Sequence, residues 1–291
     1  MRTVRGHSLP IDKSGFADVD ELLHSGTGFE QLKGRAMKNM FDLTGKVAIV
    51  TGGNGGIGLG MARGLASHGA SIVVAGRSAE KTAMAVGELQ GLGATASGIA
   101  VDVKDETSVN AMVADTVGRH GRLDVLVNNA GINIRKPPHE LSLAEWHEVL
   151  ETNLTSAFLA SHAAYPHMRN GGGGKIVNIG SLMSIFGASF APAYAASKGG
   201  IVQFSKVCAS AWAKDNIQVN AVLPGWIDTE LTQRGRTEIK GLNERVLERT
   251  PASRWGVPDD LAGIAVFLCS AASDFVTGTA ITVDGGYAIN G

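Results

Sequence analysis

The chain has 291 residues, of which 44% are apolar, 18% are charged and 39 are glycine, and its net charge is −1. A balanced charge with no basic block excludes an electrostatic nucleic-acid binder, and no apolar run reaches the ~18 residues a membrane helix needs. The two cysteines, Cys208 and Cys269, form no CxxC pair and the eight histidines no HExxH, which excludes a disulfide framework and a metal site recognisable by spacing. What remains is an enzyme-like domain with two buried thiols, expected in the cytoplasm and working on a small molecule.

In chain order, residues 1–41 are polar, glycine-punctuated and weakly patterned. Arg2 and Arg5 precede no apolar stretch, so a secretion signal is not expected. We expect an arm that is loosely ordered or packs on a neighbouring subunit, with Met37 and Met40 as alternative translation starts. From residue 42 to 291 a single domain is expected. Its strands are read at Val47–Thr51, 71–75, 95–101, Val125–Asn128, 175–179, 218–223 and Ala280–Val283. Helices are read at 58–68, 79–92, Glu106–His120, 142–168 with a serine cap, 192–214 and 258–270. Residues 227–257 are charged and irregular, a candidate lid. Strands alternating with helices imply an α/β fold, a doubly wound parallel sheet of about seven strands with helices on both faces. The short, nearly all-apolar strands agree, because such strands are buried on both sides.

Thr51-Gly52-Gly53-Asn54-Gly55-Gly56-Ile57-Gly58 joins the first strand to its helix. Glycines allow a tight turn and a close approach of backbone N–H groups to a phosphate, and the helix N-terminus favours a pyrophosphate. The strand-to-helix context turns a weak motif into a dinucleotide-binding signal. The second strand ends in Ala75-Gly76-Arg77-Ser78, with no acid to hold a ribose 2′-hydroxyl. Arg77 and Ser78 instead favour the 2′-phosphate of NADP(H). NAD(H) stays usable if Arg77 only stacks on adenine. Asp102 and Val103 close the third strand, where Asp102 could bond the adenine amino group or act as a helix cap. Asn128-Asn129-Ala130-Gly131 closes the fourth, a backbone shaped to admit a flat ligand.

Tyr194-Ala-Ala-Ser-Lys198 places a phenol and an ammonium one helical turn apart. A positive charge beside a phenol favours phenolate and makes it a working acid/base. Ser181 stands 13 residues earlier.

Taken together, TGGNGGIG, NNAG, Asn153, Ser181, YAASK and Pro224-Gly225 resemble the short-chain dehydrogenase/reductase family over residues ~41–291. The resemblance implies a Rossmann-type fold, a nicotinamide cofactor and an oxidoreductase that interconverts a secondary alcohol and a ketone. It implies Tyr194 as general acid/base, Lys198 holding the nicotinamide ribose and lowering the tyrosine pKa, and Ser181 bonding the reacting oxygen. Asn153 would fix a water that relays protons to Lys198; its alternative reading is a buried helix asparagine in need of partners. Pro224, Gly225 and Ile227 would pack around the nicotinamide, with Thr229 near its carboxamide or phosphate. The resemblance also points to a homotetramer.

Residues 251–256 and 270–286 resemble the sugar-acid and polyol dehydrogenases of that family, of the gluconate 5-dehydrogenase and 2-deoxy-D-gluconate 3-dehydrogenase type. Arg135 and Lys136 could meet a substrate carboxylate or be solvated surface charges. Leu182, Met183, Phe186 and Trp226 would make the pocket partly apolar, which keeps a 3-oxoacyl, cyclic-ketone or steroid substrate open. A non-catalytic NAD(P) sensor is the alternative of another class, and the complete Asn153, Ser181, Tyr194 and Lys198 set argues against it.

Overall fold

Strand β1 (Val47–Thr51) is buried at every position, and its side chains part by parity. Ala48 and Val50 join one apolar cluster, Val47 and Ile49 the other. Side chains alternate across a strand, so the two clusters lie on opposite faces of the sheet. The computed structural model describes residues 39–290. The arm expected over 1–41 lies outside them except for its last residues, as does the Met37 start. Residues Phe41–Gly291 form one compact unit.

The other strands are β2 (Ser71–Gly76), β3 (Ala96–Ala100), β4 (Val125–Asn128), β5 (Gly174–Ile179), β6 (Ile217–Pro224) and β7 (Ala280–Val283). They form one sheet of order β3-β2-β1-β4-β5-β6-β7, and every pairing is parallel. The expected seven-stranded doubly wound sheet is therefore present. The rule that strands are buried on both sides holds for the interior, whereas β3 and β7 at the edges are only partly covered.

One face is covered by α1 (Gly56–Ser67) and α2 (Ala79–Gly91), the other by α3 (Glu106–His120). Next come α4 (Leu143–Leu150), α5 (Ser156–Asn170) and α6 (Pro192–Trp212), then α7 (Glu230–Glu238), α8 (Leu242–Arg249) and α9 (Ala262–Cys269). Fully burying a Val, Leu or Ile contributes about 1.5–3 kcal/mol, so the two faces supply most of the driving force. Both cysteines are buried and free, and burial pushes their thiols up to about 11 for Cys208 and about 12 for Cys269.

Two elements differ from the sequence reading. The helix read over 142–168 is broken at Glu151–Thr155 by a π-helical turn, which separates α4 from α5. Such turns insert a residue into the helical repeat and gather at functional sites; this one contains Asn153. The segment read as irregular over 227–257 holds α7 and α8. Thr229 caps α7 through a reciprocal capping box with Thr232. In α8, Leu242 and Val246 are buried one turn apart. The charges around these few anchors masked the helical pattern.

Glycines let α1 lie against the chain near α9. A Cβ on Gly60 would collide with the Pro258 carbonyl, and one on Gly64 would lie 2.8 Å from the Ala262 carbonyl oxygen. Gly87 on α2 faces open space. Gly60→Ala is therefore expected to destabilise by about 1–3 kcal/mol and to lower Tm by several degrees. Gly87→Ala should hold or raise Tm. Calorimetry of both variants checks this, and a Gly60→Ala protein as stable as the parent would contradict the close approach.

Candidate active site

Neighbours of β1 lie on opposite sides of it, β2 and β4. That reversal opens a crevice beyond the carboxyl ends of the strands. Thr51 at the end of β1 knits it together. Its Oγ1 accepts the N–H groups of Asn129 and Ala130 at 3.0 and 3.2 Å and donates to the Val127 carbonyl at 3.3 Å. Asn129 returns the contact, its side-chain amide donating to the carbonyls of Thr51 and Gly52, both at 3.0 Å.

The glycine loop is held in a conformation few residues tolerate. Gly52 and Gly56 have φ of +63° and +50°. A Cβ on Gly58 would lie 2.5 Å from the Asn129 amide nitrogen. Helix α1 begins after Gly55 with no side-chain cap, so the N–H groups of its first turn are left for another acceptor. This uncapped, glycine-lined helix start fits the pyrophosphate of a dinucleotide.

At the end of β2, Arg77 and Ser78 are both exposed. Ser78 Oγ caps α2 by accepting the Lys81 N–H at 3.3 Å. A Cβ on Gly76 would collide with the side chain of Asn54, which itself donates to Thr82 Oγ1 at 3.2 Å. An acid at position 76 would therefore displace Asn54. Asp102 is exposed, and its Oδ1 accepts the Lys104 N–H at 3.1 Å. The cap of α3 is Asp105, so the helix-cap reading of Asp102 does not hold. Val103 is 7% exposed and packs in the core, leaving only its main chain for a ligand.

Helix α6 carries Tyr194 and Lys198 one turn apart, and Ser181 follows the end of β5. Lys198 is 4% exposed. Its Nζ donates to the Ile179 carbonyl at 2.6 Å and stands 5.6 Å from the centroid of the Tyr194 ring. Burial lowers its pKa to about 8. Tyr194 keeps part of its surface accessible, yet protein crowds it enough that burial pushes its phenol up. Hydrogen bonding with Ser181 and the positive charge of Arg135 pull it back down. Lys198 Nζ, bonded to the Ile179 carbonyl, stands near enough to the ring to add to that pull whenever it is protonated.

Asn153 is 3% exposed and meets the need of a buried asparagine for partners. Its Oδ1 accepts the Ile132 N–H at 2.8 Å, and its Nδ2 donates to the Ile132 carbonyl at 2.9 Å and to Ser197 Oγ at 3.1 Å. Both amide protons are committed, so a water held by this side chain has only the second Oδ1 lone pair. A Cβ on Gly131 would lie 3.3 Å from Asn153 Oδ1 and 3.6 Å from Lys198 Nζ, so these residues converge.

Arg135 is not a solvated surface charge. Its side chain is 15% exposed, pairs with Glu238 at 3.0 Å and donates to the Leu231 carbonyl at 2.9 Å, both on α7. Lys136, by contrast, pairs with Glu145 on the surface. Thr229 spends its hydroxyl capping α7, and its methyl faces Gly56, where a Cβ would lie 3.3 Å away. Gly225 donates to the Val283 carbonyl at 3.0 Å, and Ile227, 3% exposed, packs in the core. Trp226 lies in an aromatic group with Trp255 and Tyr287, with centroids 5.6 and 6.4 Å away. Met183 meets Ser181 through its main-chain N–H at 3.2 Å. The structure thus gathers Ser181, Tyr194, Lys198, Asn153, Gly131 and Arg135, while Trp226 belongs to a neighbouring cluster.

Sequence reasoning missed what holds the lid segment. The Arg236 guanidinium lies 3.7 Å from the Trp255 ring centroid and pairs with Asp228 at 2.9 Å. Arg249 lies between Phe186 and Tyr287. These partners are far apart in the chain, and no local pattern announces them. Among the described residues no cluster of His, Cys, Asp and Glu could hold a metal ion.

A glycine-cradled crevice at the switch point of a doubly wound sheet, with a part-exposed Ser and Tyr and a buried Lys at its edge, defines a nicotinamide-dependent oxidoreductase. The chain belongs to the short-chain dehydrogenase/reductase family and acts on CH–OH groups with NAD(P). The family profile described as enoyl-(acyl carrier protein) reductase matches residues 52–288. The 2-dehydro-3-deoxy-D-gluconate 5-dehydrogenase of Formosa agariphila is 43% identical over 85% of this chain and 94% of its own length. The gluconate 5-dehydrogenase of Gluconobacter oxydans is 39% identical over 87% of this chain and 98% of its own. The crystal structure of a gluconate 5-dehydrogenase from Burkholderia cenocepacia in complex with NADP and tartrate is 40% identical, with a TM-score of 0.81 over 85% of this chain and 97% of that one.

Tyr194→Phe is expected to cut turnover by about 10²–10⁴-fold while nicotinamide dinucleotide binding, read by fluorescence titration, stays within a few-fold. As general base, Tyr194 would have to be deprotonated for alcohol oxidation. With that phenol raised by burial, the oxidation rate should climb with pH across the alkaline range, and ketone reduction should fall over the same range. A pH-independent rate, or retained turnover in the variant, would remove Tyr194 from the chemistry.

Proposed function

We propose that the chain interconverts a secondary alcohol and the corresponding ketone of a sugar acid, with NADP(H) as cofactor. The observation that carries the substrate class is Arg135, a largely buried cation whose charge is felt by the Tyr194 phenol. A carboxylate on the substrate would find that guanidinium while its hydroxyl lies at the phenol. The names of the similar proteins support the same class.

Gly52, Asn54, Gly56, Ile57 and Gly58 would hold the pyrophosphate end of the cofactor, and Arg77 with Ser78 the 2′-phosphate. Asp102 and Val103 would border the adenine. Asn129, Ala130, Gly131, Pro224, Gly225, Ile227 and Thr229 would line the nicotinamide end. When bound, the nicotinamide supplies or accepts the hydride. In oxidation, Ser181 donates a hydrogen bond to the reacting oxygen and steadies it as charge develops. Tyr194 takes the hydroxyl proton as the carbonyl forms, and in reduction it returns one. Lys198 holds the ribose, and Asn153 fixes the turn of helix beside it. The support for NADP(H) over NAD(H) is Arg77 together with Gly76, where Asn54 fills the space an acid would need.

We also infer a cytoplasmic homotetramer. Buried, unpaired cysteines support the compartment, and no helix among the described residues is long and apolar enough to cross a membrane. Phe158 and Val207, exposed at 50% and 66% on α5 and α6, support subunit contacts there. Native mass spectrometry should give four copies; a monomer at micromolar concentration would end that assignment.

The deciding assay is a panel of gluconates, keto-gluconates, uncharged polyols, cyclic ketones and acetoacetyl thioesters with both cofactors. Sugar acids should turn over best, and Arg77→Ala should raise KM for NADP(H) by about 10-fold or more with little change for NAD(H). Turnover confined to uncharged or thioester substrates would reject the sugar-acid reading.

A further inference from the structure

We propose that Ser184 is a positioning residue for the reaction: its hydroxyl locks the Ser181 loop to the helix that carries Tyr194 and Lys198. The inference rests on the roles proposed above for those three groups. Ser184 lies outside the motifs that carry the family resemblance.

The Ser184 hydroxyl is used at both ends. Its oxygen accepts the main-chain N–H of Ser181 at 3.2 Å, and its proton goes to the main-chain carbonyl of Lys198 at 2.5 Å. The two partners belong to different elements, the turn after β5 and the middle of α6. Lys198 Nζ makes a second tie between the same elements, to the Ile179 carbonyl at 2.6 Å. Asn178 Nδ2 anchors the helix further along by donating to Ser205 Oγ at 2.9 Å, while the two ties at Lys198, from its main chain and its side-chain tip, set the Tyr194 end against the end of β5. Tyr194, one turn before Lys198, inherits that setting.

The local chain is arranged for this contact. Ser184 N–H donates to the Ser181 carbonyl at 2.9 Å, which closes a tight turn and brings the hydroxyl back over the Ser181 main chain. A Cβ on Gly180 would lie 3.0 Å from Ser184 Oγ, so a side chain at 180 would crowd the hydroxyl. The Met183 N–H donates to Ser181 Oγ at 3.2 Å. That bond occupies one lone pair of the Ser181 hydroxyl and leaves its proton for the phenol oxygen or, with substrate in place, the reacting oxygen. Ser184 therefore aims Ser181 through its main chain and sets Tyr194 through α6. A misplacement of about 1 Å between catalytic groups costs on the order of 10²-fold in rate.

The test compares the full chain with Ser184→Ala and Ser184→Thr, the latter keeping the hydroxyl. On the best sugar-acid substrate, Ser184→Ala should lower kcat about 10–100-fold, with KM and the NADP(H) dissociation constant within about threefold. Weaker contact between Ser181 and the phenol should move the limb of the kcat–pH profile for oxidation to higher pH. Arg135 and Lys198, the charged groups facing Tyr194, are both retained in this variant. Ser184→Thr should recover most of the rate and return the limb. Wild-type kcat and pH profile in Ser184→Ala would overturn the inference. So would a loss that Ser184→Thr leaves unrepaired while Tm collapses. Ultraviolet difference titration of Tyr194, taken against Tyr194→Phe, reads the phenol without any substrate. A protein inactive on every sugar acid would sink the proposed substrate, while the titration would still decide Ser184: an upward shift in Ser184→Ala supports it and no shift rejects it.

Discussion

A buried ammonium must find an oxygen or lose its charge. In this protein that requirement falls on Lys198, and the oxygen is the carbonyl of Ile179 at the end of a central strand. The contact sets α6 against β5, and with it Tyr194 against Ser181. It also explains the electrostatics: a lysine so deeply placed is lowered to about 8, while the same crowding raises the phenol beside it. Each charged form is disfavoured by burial, so the neighbours that offset it carry weight beyond their number. Ser181 and Arg135 are those neighbours for the phenol.

The cradle for the cofactor obeys a different constraint, the scarcity of space. Gly58 admits Asn129, Gly76 admits Asn54 and Gly56 admits the Thr229 methyl. These contacts pull the first strand, the fourth strand and the start of α7 onto one crevice. Helix α7 then reaches Arg135 through Leu231 and Glu238, and Lys81 at the other side of the crevice through Glu230 at 2.8 Å. Helix α7 is tied to elements on both halves of the sheet, by ion pairs that solvent weakens individually.

Much of this was legible in the chain. The nearly all-apolar strands at 47–51 and 125–128 read as interior strands of a parallel sheet, and both are. The glycine loop, the YAASK pentapeptide and Ser181 are local patterns whose spacing carries geometry, and the fold brings Ser181, Tyr194 and Lys198 to one place. The π-turn at Glu151–Thr155 was not legible, because the apolar spacing on either side reads as one helix. Nor were α7 and α8, whose few buried anchors are diluted by charge.

The sequence by itself determined the fold class, the glycine-lined turn after the first strand and the placing of Tyr194 and Lys198 one helical turn apart, since each depends on residues close together in the chain. Only the tertiary structure decided that Arg135 faces α7 and the phenol rather than solvent. It alone placed the Ser184 hydroxyl between Ser181 and Lys198, and set Trp226 among Trp255 and Tyr287. Those contacts join segments distant in sequence, and their partners are chosen by how helices pack on the sheet. Local periodicity carries no record of that choice, because a side chain's partner across a crevice depends on every element that positions the two walls.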